Sequence, residues 1–409
     1  MDYSISNNND KLSLVRELLY FYCLGMFILE RCFVEVTLWG SEYPILWPIT
    51  DFIIDQYANV ISIILITCII FTFFTTRPSV VRILAFVAII AVGRIASEVQ
   101  EDIYFYNAML LLVGAYGVRA RRLLIFVLSI SGPLLILTVL ASKLGIIHNE
   151  IAEGRHREYL GFSWTTTPVM IFCYVTFIYI ILRRCKLTII DFLILNAVNS
   201  YFFKMTNTKF SFLIIILITT LCFVYNNVIG SNEKPGLNAS TTVLFPWMFA
   251  ALIYIVSYLY DPSIGIMGRL NILLSKRLSQ TRYSLSIYNI LPFGQPISWV
   301  STGDATVDNP ATYVDTAYLQ TLLKYGWIPL VMLLLISSWL ILRAYLERRY
   351  YIAVVFVFIL VFGLFEQQLF WYEYDIILLL SFADWRSLKA VEEREGVRWA
   401  SRKFLRQIP

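Results

Sequence analysis

Three stretches of this sequence place cationic side chains between long apolar runs. They read "GRHREYLGF", "KMTNTKF" and "GRLNILLSKRLSQTRYSLSIYNILPFG". Their cationic or titratable members are Arg155, His156, Arg157, Lys204, Lys209, Arg269, Lys276, Arg277 and Arg282. A guanidinium group donates two parallel hydrogen bonds to phosphate oxygens, and clustered cations raise the local concentration of anions. The clusters therefore indicate a ligand that carries phosphate.

The composition determines which elements must position these cations. Of the 409 residues, 58% are hydrophobic and only 15% are charged, and the mean hydropathy is +0.69. Soluble domains are about one quarter charged. The sequence therefore predicts an all-α polytopic membrane protein, with residues 1–409 forming a single integral membrane domain. The net charge of +5 is small, and we expect no nucleic-acid partner.

Apolar runs of roughly 20 residues, the length that crosses a bilayer, recur along the chain. They predict about twelve transmembrane helices. The spans are 14–35, 57–75, 80–97, 103–118, 123–142, 167–183, 187–204, 210–229, 241–259, 321–342, 350–365 and 367–384. The last pair is the most polar, because "FEQQLFWYEYD" interrupts it.

Basic residues in the short loops set the orientation, because cytoplasmic loops are enriched in lysine and arginine. They lie at 77–82, 119–122, 183–186, 343–349 and 386–406. With an even number of spans, all of them share one side. The sequence therefore predicts a multi-pass protein of the cell membrane with both termini in the cytoplasm. No small-residue cleavage site follows the first apolar run, so we expect a retained first helix.

This topology places the opening cations on the outer face. Most lie in two larger loops at 143–166 and 260–320, and Lys204 and Lys209 lie at the outer end of the span 187–204. Outer loops are normally poor in arginine. An anionic ligand at the membrane surface, such as a lipid-linked pyrophosphate, explains the exception. The alternative is structural: the arginines extend to lipid headgroups or pair with Glu150, Glu153 and Glu158.

The segment 260–320 is also rich in aromatic residues. They include Tyr283, Tyr288, Phe293, Trp299 and Tyr313. Such rings form stacking surfaces for sugars. They also collect on amphipathic helices that lie at a membrane interface, and the sequence allows both readings.

Four stretches together resemble the Wzy-type oligosaccharide repeat-unit polymerases, which belong to the O-antigen ligase superfamily. They read "REYLGF", "LNILLSKRL", "NILPFG" and "VDTAYLQTLLKYGW". The positions that match the family's motifs are Arg157, Gly161, Phe162, Thr206, Lys209, Arg277, Phe293, Gly294, Asp315, Tyr318 and Gly326. The chain departs from the family pattern after Phe162, where it has Trp164, Thr165 and Thr166, and at Thr208-Lys209.

The resemblance implies a glycosyltransferase C-like membrane fold and a polymerase of O-antigen, capsule or exopolysaccharide synthesis. The growing glycan on undecaprenyl pyrophosphate is transferred to a second lipid-linked repeat unit on the outer face. Arg157 and Arg277 are expected to bind the pyrophosphate, with Arg282 and Lys209 as further contacts. Tyr318, Tyr288 and Trp299 are expected to contact the glycan.

The acceptor hydroxyl needs a general base. Asp315 matches the family motif, and His156 is adjacent to Arg157, whose charge favours a neutral imidazole. Asp304, Asp308 and Glu366 are further candidates. Asp315 has an alternative role as a helix N-cap, because "VDTAYL" begins a helix, and His156 has one as an exposed loop residue.

No cofactor or metal is expected, because the permanent cations supply the charge and no outer loop carries an acidic cluster such as D-x-D. The six cysteines are scattered and fit neither a zinc site nor a disulfide framework. Expected partners are the lipid-linked oligosaccharide, membrane lipid and a chain-length regulator. Two alternatives remain: a ligase that moves the finished glycan to another acceptor, and a flippase of lipid-linked oligosaccharide.

Overall fold

A computed structural model describes residues 2–152, 156–225, 238–301, 305–306 and 310–388, with side chains from residue 13 onward. The described chain is mostly α-helical, which confirms the all-α prediction. One short antiparallel pair, β1 (Ile151–Ala152) and β2 (Arg157–Glu158), lies in the predicted loop 143–166.

The first half of the chain forms ten helices among the described residues. They are α1 (Asp2–Leu29), α2 (Trp39–Glu42), α3 (Trp47–Asp55), α4 (Ile61–Thr76), α5 (Val80–Gln100), α6 (Tyr104–Gly114), α7 (Ala120–Lys143), α8 (Thr167–Leu182), α9 (Ile189–Thr206) and α10 (Lys209–Val224). A π-helical turn, Glu30–Val34, extends α1, and another, Gln56–Val60, joins α3 to α4.

The described part of the second half adds seven helices. They are α11 (Ala239–Val243), α12 (Phe245–Tyr258), α13 (Gly265–Leu273), α14 (Arg277–Ile287), α15 (Ala317–Lys324), α16 (Trp327–Leu346) and α17 (Tyr350–Phe362). Helices α13 and α14 lie within the predicted outer loop 260–320.

Among the described residues, four helical stretches are long and apolar enough to cross a membrane. They are Pro44–Thr76, Val80–Gln100, Ala120–Lys143 and Trp327–Leu346. Large side chains on these stretches remain exposed, including Phe74 (79%) and Val81 (78%). Exposed apolar surface on this scale marks a face for lipid or protein. Membrane association agrees with the prediction, while the count of twelve and the orientation remain predictions.

The predicted span 367–384 is not an α-helix. Two 3-10 turns, Gln367–Phe370 and Ile376–Ser381, interrupt an irregular, buried segment. The Asp375 carboxylate accepts from the backbone N–H of Ile377 at 3.2 Å, which provides a local bond instead of a continuous helical ladder. Irregular backbone at membrane depth is tolerated where protein covers it, and here nearly every residue is buried. We call residues 366–385 the broken segment.

Contacts between loops sort them to two ends of the molecule. At one end, which we call the basic end, Arg119 and Arg122 pair with Glu17, and the Ala120 N–H donates to the Asp384 carbonyl at 2.9 Å. At the other end, the Leu38 N–H donates to the Gly161 carbonyl, and the Ala317 N–H donates to the Gly363 carbonyl, each at 3.0 Å. The second end carries the candidate site.

Candidate functional site

Arg277 lies at the centre of a cluster with two carboxylates. Its Nε is 2.9 Å from Asp315 Oδ2, and its Nη2 is 3.2 Å from Glu366 Oε1. Its Nη1 also donates to the Phe365 carbonyl. Arg277 begins α14, directly after Ser275 and Lys276 in left-handed conformations (φ 56° and 69°). This sharp turn between α13 and α14 directs the guanidinium toward the end of α17.

Arg157 approaches the same cluster from β2. Its Nη2 donates to the Asn207 carbonyl at 3.1 Å, beside the start of α10. The ring of Phe210, the second residue of α10, stacks on Phe365, with 3.7 Å between centroids. Burial raises the pKa of Glu366 to about 6, although the nearby charges of Arg277 and Arg157 lower it. Arg277 thus contacts the Glu366 carboxylate directly, whereas Arg157 lies near enough for its charge to act on it.

Asp315 is not the N-cap of a helix. Thr316 occupies the N-cap position, α15 begins at Ala317, and no side chain caps this end. The Asp315 carboxylate is instead paired with Arg277. Burial raises the pKa of Asp315, and the Arg277 charge opposes that shift. The capping alternative is therefore not realised, and Asp315 belongs to the charged cluster.

A small cavity lies beside this cluster. Its lining mixes polar and apolar residues. The polar ones are Ser257, Arg277, Thr281, Asp315 and Thr316. The apolar ones are Ile253, Leu274, Leu278, Leu364 and Phe365. This mixed lining suits an amphiphilic ligand, with an anionic headgroup beside Arg277 and a hydrocarbon chain against the aliphatic side chains.

Two hydroxyl groups in this cavity were not anticipated from the sequence. Ser257 Oγ and Thr316 Oγ1 are buried, and neither has a hydrogen-bond partner within the described part of the chain. A buried hydroxyl without a partner costs free energy. A ligand that accepts hydrogen bonds would remove that cost. Serine and threonine are too common for their spacing to be a signal, so only the fold shows their convergence.

Three predicted aromatic residues form a row beside the cluster. Tyr288 and Trp299 make an edge-to-face contact at 5.8 Å, and Trp299 makes another with Tyr313 at 6.0 Å. The Tyr313 hydroxyl donates to Gln367, next to Glu366. Burial raises the pKa of Tyr313, and the nearby charge of Asp315 adds to the shift. The row places partly exposed rings next to the charged cluster.

Tightly packed glycines fix both loops that carry the site. Gly161 has φ +81°, and an added Cβ would lie 2.7 Å from Ile147 Cδ1. Gly294 has φ +77°, and an added Cβ would lie 1.9 Å from the Lys324 carbonyl oxygen. Residues with a side chain rarely adopt such φ angles. These positions therefore hold the segments 143–166 and 260–320 against the helices.

Three other predicted site residues lie away from the cluster. Arg282 stacks over the Tyr258 ring, 4.8 Å from its centroid. Lys209 is exposed at the start of α10 and has no ion-pair partner among the described residues. His156 is exposed in the turn before β2, with φ 47°. None of them lines the cavity.

Tyr318 does not reach the surface of the site. It is completely buried in α15, and its hydroxyl donates to the Leu360 carbonyl at 2.9 Å. Its ring packs edge-to-face on Phe370 at 6.0 Å. The Tyr318 side chain is therefore not accessible to a glycan in this structure, because it packs α15 against α17. Asp304 and Asp308, the other proposed bases, lie outside the described residues.

The described part of the segment 143–166 tests in part whether the loop arginines pair with glutamates of the same loop. Glu158 pairs with Lys143 and accepts from Asn149 Nδ2 at 2.7 Å. It thus does not serve as the partner proposed for the loop arginines. Glu153 and Arg155 lie outside the described residues. Within the described ranges, no group of three or more histidine, cysteine, aspartate or glutamate side chains could hold a metal ion.

Comparisons with known proteins do not assign this chain. No family model, curated protein or solved structure matches it. Its function must therefore be argued from the site and from the motifs themselves.

Proposed function

We propose that this protein is a metal-independent glycosyltransferase that polymerises lipid-linked oligosaccharide repeat units. The donor is a glycan on a polyprenyl pyrophosphate, undecaprenyl in the family that the motifs resemble. The acceptor is a sugar hydroxyl of a second lipid-linked unit. The observation that carries the proposal is the cavity beside Arg277, whose lining combines charged side chains, buried hydroxyls and apolar side chains.

The arginines and the carboxylates form a cluster in which charges compensate when no ligand is bound. A pyrophosphate that entered the cavity would compete with Asp315 and Glu366 for the Arg277 guanidinium, and its oxygens match the fork of donors. Ser257 and Thr316 would donate to the same anion. The polyprenyl chain would lie against apolar lining residues such as Ile253 and Leu364.

The exchange of partners also prepares a base. An adjacent cation lowers the pKa of a carboxyl group, so a carboxylate that loses Arg277 to the pyrophosphate binds a proton more strongly. Asp315 lines the cavity, whereas Glu366 does not. We therefore assign Asp315 as the general base. Glu366 is assigned as the positioning residue that orients Arg277.

In the transfer step, the acceptor oxygen attacks the anomeric carbon of the donor glycan. The bond from that carbon to the pyrophosphate oxygen breaks, and its electron pair leaves with the pyrophosphate. The acceptor proton passes to Asp315. Arg277 and Arg157 stabilise the charge that grows on the leaving group, the kind of electrostatic effect that contributes most in enzymes. The row of Tyr288, Trp299 and Tyr313 would hold the sugar rings.

The experiment is incubation of the purified protein with a lipid-linked repeat unit, followed by separation of the products by length. We expect a ladder from the wild type and from Arg269→Ala, an exposed arginine of the same outer segment. Arg277→Ala should give none. A normal ladder from a correctly folded Arg277→Ala variant would refute the proposed site.

One observation favours a second function, a flippase of lipid-linked oligosaccharide. The broken segment buries Glu373 and Asp375 among helices, and interrupted helices with buried ionisable groups occur in transporters. An assay in vesicles that contain labelled lipid-linked units distinguishes the two functions. A flippase moves the label between leaflets without lengthening the glycan, whereas the polymerase produces longer glycans.

A further inference from the structure

A second cavity lies between α7, α8 and the broken segment, apart from the residues that surround Arg277. It has a volume of about 10 Å³ for a water-sized guest. Apolar side chains of α7 and α8 line much of it. The lining residues with polar groups are Ser131, Tyr174, Glu373 and Tyr374. The cavity thus combines a largely apolar surface with four residues able to form hydrogen bonds.

Two of these groups are hydroxyls with unmet hydrogen-bonding capacity. Ser131 is 4% exposed and Tyr174 is 2% exposed. Neither Ser131 Oγ nor Tyr174 Oη has a hydrogen-bond partner in the part of the chain that the structure describes. Most buried polar groups have a partner, from protein or from water. Two such hydroxyls on the wall of one cavity therefore indicate an occupant that accepts hydrogen bonds.

Glu373 supplies the complementary acceptor. Its Oε2 accepts from the Tyr104 hydroxyl at 2.8 Å, and its Oε1 is 3.6 Å from Arg31 Nε. A carboxylate offers about four acceptor positions, so these two contacts leave capacity for another donor. Arg31 also pairs with Glu30 and Glu35. The argument for the guest is therefore size: the cavity has room for about one water molecule, which can donate to this carboxylate.

We propose that this cavity is a binding site for water that bridges Ser131 and Tyr174 to the Glu373 carboxylate. A water molecule accepts from both hydroxyls and donates to the carboxylate, which gives the three hydrogen bonds typical of buried water. Glu373 already connects the broken segment to Arg31, next to α1, and to Tyr104 in α6. The water extends that connection to α7 and α8, and so helps to position the segment that carries Glu366.

A double-mutant cycle tests this site through the direction of the stability change. We measure the apparent melting temperature of the purified full-length protein with Ser131→Ala, Tyr174→Phe and both changes. A dry cavity predicts unchanged or higher melting temperatures, because each change deletes a hydroxyl that has no partner. Bridging water predicts a fall of roughly 1–2 °C for each single change. The double change should lose less than the sum, since both hydroxyls bind the same water.

Matched controls exist within the same core. Thr176 and Tyr372 each bury a hydroxyl without a partner among the described residues, and neither lines this cavity. Thr176→Val and Tyr372→Phe should therefore leave the melting temperature unchanged or raise it. If the cavity variants behave like these controls, or if their effects simply add, the water bridge is refuted.

A structure of the wild type that resolves ordered water provides a test independent of variant folding. Density within hydrogen-bond distance of Ser131 Oγ, Tyr174 Oη and Glu373 supports the proposal. An empty cavity overturns it.

Discussion

Two clusters of arginines and carboxylates lie at opposite ends of this molecule and differ in arrangement. At the basic end, the Glu17 carboxylate lies between two arginines, 2.9 Å from Arg122 Nη1 and bonded to Arg119. At the other end, Arg277 lies between two carboxylates, and a cavity with unpartnered hydroxyls lies beside it. Both clusters are ion-paired. The cavity, not the ion pairs, distinguishes a candidate site from a structural contact.

The largest expected effect follows from removing the guanidinium at the cavity. Arg277→Ala should abolish polymer formation, and Arg157→Ala combined with it should do the same. Arg277→Lys should also lose most activity, on the order of 100-fold, because lysine retains the charge but not the bidentate fork. The measurement is product length and rate with purified protein. If the double alanine variant made full-length polymer, these cations would have only a structural role.

The next effect concerns the carboxylate that faces the cavity. Asp315→Asn should lower the transfer rate by roughly 100-fold or more, because the amide cannot take the acceptor proton. Donor binding should remain. Rates at saturating donor and the donor dissociation constant are measured together. A variant that binds donor weakly but transfers it at the normal rate would show that Asp315 only positions Arg277.

A substitution at the basic end should lower the stability of the protein and leave the transfer rate unchanged. Glu17→Gln removes the carboxylate that Arg119 and Arg122 share. Because both guanidinium groups are partly exposed to solvent, unfolding should become easier by only about 1 kcal/mol. The transfer rate per folded molecule should match the wild type. Thermal unfolding and activity of the folded fraction are measured on one preparation. A loss of rate in the folded fraction would remove the distinction between the two ends.

Glu366 should make stability depend on pH in an unusual direction. Burial raises its pKa to about 6, above the value of about 4.3 for a free glutamate. The folded state therefore holds this proton more strongly, and the contribution of Glu366 to stability grows by about 2 kcal/mol as the pH falls from 7 to about 4. It is lost as the pH rises through about 6.

Melting temperatures across this pH range check the sign, and Glu366→Gln should remove this part of the slope. Glu158→Gln is the comparison. Burial raises the pKa of Glu158, but Lys143 and Asn149 lower it further, so that this pKa lies below its usual value. Its contribution therefore has the opposite sign. If Glu366→Gln and the wild type show parallel curves, the carboxylate does not titrate in this range.

The smallest effect belongs to the buried hydroxyls of the cavity. Ser257→Ala should weaken donor binding by roughly tenfold, the size of one hydrogen bond to a charged oxygen. Protein stability should not fall, because the hydroxyl has no partner in the structure without ligand. Binding of the lipid-linked donor and thermal unfolding are measured in parallel. Unchanged binding would exclude Ser257 from the ligand contacts.

The sequence alone determined the elements that its local patterns encode. Long apolar runs predict helices because each helix satisfies its own backbone hydrogen bonds, and α5, α7 and α8 follow the predicted spans closely. The same reasoning was wrong for 367–384, where Glu373 and Asp375 are stabilised by distant partners or local turns. Hydropathy registers the apolar residues but not whether protein covers the segment.

The sequence also indicated Arg157 and Arg277 as candidate anion ligands, because they lie in predicted outer loops, where arginine is normally scarce. Only the tertiary structure decided which partners they have. Arg277 meets Glu366 across 89 positions, and Tyr318 is buried although its motif suggested a contact with the glycan. The physical reason is that charge and hydropathy are properties of single residues and their neighbours. Burial, cavity shape and unmet hydrogen bonds arise only when segments distant in sequence pack together.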